Sequence, residues 1–159
     1  MTTTNRFAPA GRVKTVKGSI VAPENAGLRF VLSVNNLAGK LEGNPMLPIF
    51  EKKWPKVKAE SRGWWATRTG AYKLGAVNTT AVQSDTWVIH MLCQDENLEV
   101  STAGLTQCLK EVCKMAKYER ATVHVSTALT GSIPELTDLL QEQLINQGVS
   151  VTFYEEPTT

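Results

Sequence analysis

Short apolar runs alternate along this chain with longer segments of helical periodicity. Three of the runs, Arg29–Val34, Thr86–Cys93 and Ala121–Ser126, are too short for a typical helix and are rich in β-branched residues. We therefore predict that they form buried strands. Ser101 precedes a segment that reaches about Lys117, in which apolar residues recur at helical spacing. This pattern predicts an amphipathic helix that Ser101 caps.

Weaker patterns fill the rest of the chain. They predict strands at Arg12–Lys17, Tyr72–Val82 (interrupted at Gly75) and Val149–Tyr154, and helices at Pro45–Trp54 and Lys56–Arg62 on either side of Pro55. Ser132 and Glu135 have the spacing of a capping box, so we expect another helix to begin there and to end before Gly148.

The order of these elements predicts the fold class. The later half runs strand, helix, strand, helix, strand, which is typical of an α/β protein with a parallel sheet and helices on its faces. We expect a single domain over residues 11–156, preceded by a polar, frayed N-terminus at residues 1–10.

Composition narrows the functional classes. The 159 residues are 42% hydrophobic and 20% charged, with a net charge of +2, too small to indicate a nucleic-acid or anionic-membrane partner. No apolar run is long enough to span a membrane and no secretory signal is visible, so we expect a cytoplasmic protein. Three scattered cysteines and two histidines in predicted strands predict neither disulfides nor a metal site, and no cofactor is expected.

The segment Phe30–Pro45 is the most informative part of the sequence. A buried strand ends there in small and polar residues, a pattern typical of a ligand crevice at the carboxyl end of a strand. Free N–H groups in such a loop suit an anion, although turn chemistry alone also explains these residue types. The candidate ligand contacts are Asn35, Asn36, Gly39, Gly43 and Asn44.

A second candidate loop follows the strand Ala121–Ser126. It is rich in hydroxyl groups and lies at a predicted helix N-terminus, where backbone N–H groups favour an anion. Its candidate contacts are Ser126, Thr127, Thr130, Gly131 and Ser132, and a helix cap alone also explains Ser132.

Several strings in order resemble the macro domain, an ADP-ribose-binding module with a three-layer α/β/α sandwich and a mixed, largely parallel sheet. Lys17–Ile20 is similar to the end of the family's first strand, Val31–Asn36 to its strand ending in asparagine, and Val88–Leu92 to its Ile-His-Thr-Val strand. Ser126–Ser132 matches the loop that wraps the diphosphate. The helical segment Ile49–Trp54 is most similar to the compact branch typified by the terminal ADP-ribose protein glycohydrolase.

The resemblance implies roles for further residues. Gly18, Ser19 and Ile20 would hold the adenine edge, and Asn36 would contact the distal ribose. Either Tyr154 or Phe153 would stack on the base, with the other of the two in the core. Ser19 stands where the family has an acidic residue that accepts the adenine amino hydrogen, and the Asp/Lys pair that supports hydrolysis in the compact branch is missing.

Binding or sequestration of ADP-ribose, a related nucleotide or an ADP-ribosylated macromolecule is therefore the favoured function, with no catalytic residue assigned. Two alternatives stay open: an ADP-ribosyl hydrolase or ADP-ribose 1″-phosphate phosphatase, and a scaffold whose segment Trp54–Arg68 binds a protein or, less favoured, nucleic acid. The resemblance also suits a bacterial or viral accessory protein, acting in the host cytoplasm if viral. The oligomeric state is left open.

Overall fold

A computed structural model describes residues 9–157, and most of the expected frayed N-terminus, residues 1–8, lies outside that range. The strands are β1 (Val13–Lys17), β2 (Arg29–Asn36), β3 (Val77–Gln83), β4 (Thr86–Gln94), β5 (Thr122–Ser126) and β6 (Val151–Glu155). The α-helices are α1 (Leu47–Phe50), α2 (Lys56–Ala66), α3 (Thr102–Glu119), α4 (Thr127–Ser132) and α5 (Leu136–Gln143). Short 3-10 turns lie at Leu41–Gly43 and Ile145–Gln147.

The six strands form one sheet in the order β1-β6-β5-β2-β4-β3. All neighbouring strands are parallel except β3, which pairs antiparallel with β4 through a tight hairpin. This mixed, largely parallel sheet confirms the predicted fold class. Because β1, β6, β5, β2 and β4 run the same way, the segments that follow them emerge at one edge, which we call the carboxyl edge.

Helices cover both faces of the sheet. On one face, Trp64 of α2 packs edge-on against His90 of β4, with ring centroids 6.5 Å apart. On the other face, Trp87 of the same strand lines a groove with Met115 of α3. Successive strand residues point to opposite faces, so these contacts place α2 and α3 in different layers. The three-layer α/β/α arrangement is therefore present.

Central strands are buried on both faces, as their continuous apolar runs predict. Phe30, Val31 and Leu32 of β2 and Val88 and Ile89 of β4 have no exposed surface. Helix α3 begins where expected, since the Ser101 hydroxyl accepts a hydrogen bond from the Gly104 N–H at 3.0 Å. Within residues 9–157, no helix combines the length and the apolar character that crossing a membrane requires.

Three predicted elements differ in the structure. The helix expected over Pro45–Trp54 is helical only at Leu47–Phe50, after which turns lead to Pro55. The strand expected from Tyr72 begins at Val77, because Gly75 adopts φ +99° and turns the chain beforehand. The capping box is wrong: Ser132 is the last residue of α4, and the next helix begins at Leu136.

Candidate functional site

The carboxyl edge brings both predicted loops and the first-strand segment together. Gly18–Ile20 follows β1, Ser126–Ser132 extends from the end of β5, and Asn36–Asn44 extends from the end of β2. Between β1 and β5 lies β6, and β5 is the direct neighbour of β2. The predicted segments therefore lie along one edge of the sheet, with the end of β6 between the first and the second, although up to 114 residues separate them along the chain.

Asn36 closes the first loop. Its Oδ1 accepts the Lys40 N–H at 2.9 Å, and its Nδ2 donates to the Lys40 carbonyl at 2.7 Å. The Tyr72 hydroxyl donates to the Asn36 carbonyl at 2.8 Å. The side chain is almost completely buried, so its observed role is to shape the loop. The Asn36 amide could contact a ribose only through the donor and acceptor positions that its bonds to Lys40 leave free.

Gly39 is required by packing and by backbone conformation. Its φ is +68°, and a Cβ built there would lie 2.6 Å from Cγ of Trp65, whose indole overlaps that position. Trp65 also donates from Nε1 to the Leu37 carbonyl at 3.2 Å. The Arg68 guanidinium lies 4.1 Å from the centroid of the Trp65 ring. Trp65 and Arg68 thus form the outer wall of the first loop.

Gly43 approaches two buried amides. A Cβ there would lie 2.9 Å from Nδ2 of Asn36 and 3.4 Å from Oε1 of Gln94. The Gln94 oxygen is buried and accepts no hydrogen bond from the described part of the chain. Sequence reasoning did not select Gln94, although its position at the end of β4 marks it as a residue of this edge.

Asn35 and Asn44 lie in a buried polar cluster beside the first loop. Asn35 is 6% exposed and donates to the Ser61 hydroxyl at 2.9 Å, while Asn44 donates to the Ser33 hydroxyl at 2.8 Å. With Ser61 they line a cavity of about 10 Å³, room for one water. Both amides belong to a buried polar cluster, in which the Asn35 Oδ1 has no hydrogen-bond partner among the described residues, and direct ligand contact by Asn35 and Asn44 stays a prediction.

The hydroxyl groups of the second loop are used internally. Ser126 accepts the Ala128 N–H at 3.1 Å and caps α4, a role expected of Ser132. Thr127 donates to the Tyr154 carbonyl, Thr130 to the Thr127 carbonyl and Ser132 to the Ala128 carbonyl. Gly131 is exposed and has open space around it. The protons of Thr127, Thr130 and Ser132 are thus donated within the chain, as is the Ala128 N–H, and an anion at this loop would meet the remaining first-turn N–H groups.

The first-strand segment is joined to the end of the chain. The Gly18 N–H donates to the Glu155 carbonyl at 3.0 Å. Ser19 donates from Oγ to one Glu156 oxygen at 2.8 Å, and the Ile20 N–H donates to the other at 2.9 Å. Glu156 was missed by sequence reasoning. The signal that could have found it is the parallel pairing of β1 with β6, which brings their ends together.

Tyr154 is a core residue. It is 1% exposed, its hydroxyl accepts the Glu24 N–H at 2.9 Å, and it lies 2.7 Å from Nδ1 of His124. Burial raises the pKa of Tyr154. We correct the expectation that this ring stacks on a base, since neither face is accessible. Phe153, its half-buried neighbour, points to the opposite face of the sheet.

The strongly shifted titratable groups lie in the core. Burial lowers the pKa of both His90 and His124 to about 4, and His90 bonds through Nε2 to Thr80 at 2.8 Å. Burial raises the pKa of the Cys108 thiol to about 12 and raises that of Cys93 further. These groups stay neutral near pH 7 and serve packing, which leaves them unsuited to acid–base chemistry at the edge.

Comparison with known proteins identifies the fold. No protein-family model and no curated protein matches the sequence. A macrodomain protein from Streptomyces coelicolor is 26% identical, superposes with a TM-score of 0.79, and is aligned over 92% of this chain and 100% of its own. A protein of unknown function from Bacteroides thetaiotaomicron is 24% identical, with a TM-score of 0.80 over 93% and 99% of the two chains.

A more distant likeness has the same architecture. The macrodomain of Thermus aquaticus DarG is 15% identical, with a TM-score of 0.65 over 91% of this chain and 99% of that one. Together with the strand order and the three layers, these likenesses establish that the chain has a macro-domain-like fold, in agreement with the resemblance of the sequence strings.

Proposed function

We propose that this chain, which has a macro-domain-like fold, binds ADP-ribose or a closely related nucleotide at its carboxyl edge. The ligand is free or attached to a macromolecule. The observation that carries the proposal is that Gly18–Ile20, Ser126–Ser132 and Asn36–Asn44 lie at the ends of β1, β5 and β2 on one edge of this sheet.

The size of the edge suits such a ligand. Three strand spacings separate β1 from β2, which corresponds to roughly 14 Å. The strand ends can underlie the diphosphate and the sugars on either side of it, while the base reaches past β1. The proposal assigns the base to Gly18–Ile20, the diphosphate to the two loops and the distal ribose to the Asn36 end.

Backbone groups are the proposed diphosphate donors. The chain enters α4 directly from β5, so the N–H groups of its first turn lie at the carboxyl edge, where intrahelical acceptors are missing. The Ala128 N–H is the exception, since it already donates to the Ser126 hydroxyl. Gly39 and Gly43 carry no side chain, so no Cβ projects from the facing loop at these positions. This supports a close approach of phosphate to backbone. Asn36 supports the site by holding the loop in this conformation.

Binding is favoured over hydrolysis by the state of the reactive side chains. His90, His124, Cys93 and Cys108 are buried and neutral, and Asn36 is already committed to the loop backbone. A general base must reach the proton it removes, and these groups are enclosed by the core. Sequestration or recognition of the nucleotide is therefore the proposed activity.

Calorimetric titration with ADP-ribose tests the proposal. We expect saturable binding by the wild-type protein and at least about tenfold weaker binding by Gly131→Glu, because the new carboxylate would repel the diphosphate. Ser84→Glu is the matched control, since it adds the same charge in the exposed turn between β3 and β4 at the opposite edge. It should bind as the wild type does.

Two results would contradict the proposal. One is the absence of heat and of any thermal shift at millimolar ADP-ribose. The other is equal binding by Gly131→Glu and Ser84→Glu, which would put the ligand elsewhere. Release of ADP-ribose from modified protein or DNA, or of phosphate from ADP-ribose 1″-phosphate, would favour the enzymatic alternatives.

A further inference from the structure

Glu156 holds a carboxylate at the end of the edge to which the base is assigned. Its two oxygens receive one donor each, from the Ser19 hydroxyl and the Ile20 N–H. The Ser19 hydroxyl accepts the Val21 N–H at 3.3 Å and donates its only proton to Glu156. Glu156 is half-buried and directly follows the last residue of β6, and the turn after β1 holds its carboxylate.

A carboxylate held in this way has acceptor capacity left. It can accept about four hydrogen bonds, and Ser19 and Ile20 supply two. The two donors orient the group, so a third donor meets an acceptor that has already lost its rotamer freedom. Bonds to a charged acceptor are also shorter and stronger than those to a hydroxyl.

We infer that Glu156 is the specificity-determining acceptor of the base end, receiving a hydrogen bond from the exocyclic amine of a purine. Ser19 is then a positioning residue that holds the carboxylate and not itself the group that contacts the base. The acidic group that position 19 lacks is supplied from the other end of the chain, 137 residues away. This inference rests on the proposed function, because it needs the nucleotide to lie along the carboxyl edge.

A cycle of two ligands and two proteins tests the inference. The ligands are ADP-ribose and its purine analogue, in which hydrogen replaces the 6-amino group, and the proteins are the wild type and Glu156→Ala. We expect the wild type to bind ADP-ribose about ten- to a hundredfold more tightly than the analogue, and Glu156→Ala to lose this preference.

Glu155→Ala is the matched control. It removes a neighbouring carboxylate that is exposed, while the Glu155 carbonyl that accepts the Gly18 N–H is retained. Its preference for ADP-ribose should equal that of the wild type. Glu156→Gln keeps the side-chain length and one acceptor oxygen, so it should retain part of the preference for ADP-ribose. It replaces Glu156→Ala in the experiment if that variant does not fold.

The outcomes separate the inference from the proposed function. If the wild type binds ADP-ribose but Glu156→Ala and Glu156→Gln keep its full preference, the inference is wrong and the proposed function stands. Tighter binding of both ligands by Glu156→Ala would also overturn the inference. The Glu156 carboxylate would then compete with the ligand for the Ser19 and Ile20 donors. If the wild type binds neither ligand, both fail together.

Discussion

At the scale of the residue, Gly39 combines a left-handed backbone with a tryptophan packed on its α-carbon. We expect Gly39→Ala to lower the free energy of unfolding by about 2 kcal/mol or more, because the methyl group adds overlap with Trp65 to the cost of a positive φ. Urea denaturation followed by tryptophan fluorescence measures the change.

Gly63 in α2 offers the opposite case. A Cβ there has open space, and the residue is helical. Gly63→Ala should therefore raise stability by about 0.5 to 1 kcal/mol through helix propensity. If both variants changed stability equally, the packing of Trp65 on Gly39 would not be the cause.

At the scale of the element, α3 depends on its first turn. The Ser101 hydroxyl satisfies the Gly104 N–H, and the helix continues for 18 residues to Glu119. We expect Ser101→Ala to cost about 1 kcal/mol, because a donor at the helix start loses its acceptor. Thermal unfolding by circular dichroism tests this.

The control is Ser101→Asp, which keeps an oxygen acceptor at the cap position. It should remain within a few tenths of a kcal/mol of the wild type, since Ser and Asp are similar helix caps. Equal destabilisation by Ala and Asp would assign the effect to packing beside Gly104 instead of to the cap.

At the scale of the whole molecule, two buried histidines couple folding to pH. His90 and His124 have pKa values near 4 when folded, below the ordinary value of 6.5. Between these values the unfolded chain binds more protons than the folded one, so stability falls as pH decreases through this window. We expect a loss of about 2 kcal/mol per histidine from pH 7 to pH 5.

Urea denaturation at pH 7, 6 and 5 measures this dependence. His124→Gln should show a shallower loss of stability than the wild type over the same range, because one of the two titrating groups is gone. The carboxylates common to both proteins cancel in that comparison. An identical slope in the two proteins would contradict the assignment to His124.

Much of the fold follows from local pattern. The continuous apolar runs of β2, β4 and β5 and the periodicity of α3 predict their elements to within a few residues, because burial on two faces or on one stripe repeats at a fixed interval. The alternation of strand and helix then predicts a parallel sheet, and hence an edge at which loops collect.

The tertiary structure decided what each candidate side chain does. Asn35, Asn44 and Tyr154 have residue types suited to ligand contact, yet their strand register and loop path bury them. Glu156 showed no pattern of its own along the sequence. Its contact with Ser19 depends on the pairing of the first and last strands, and spacing along the chain carries no information about partners so distant. The sequence by itself thus predicted the central strands, helix α3 and the carboxyl edge, because burial repeats at a fixed interval along each of these elements. Only the tertiary structure decided which candidate side chains are buried, because burial depends on strand pairing between residues far apart in the chain.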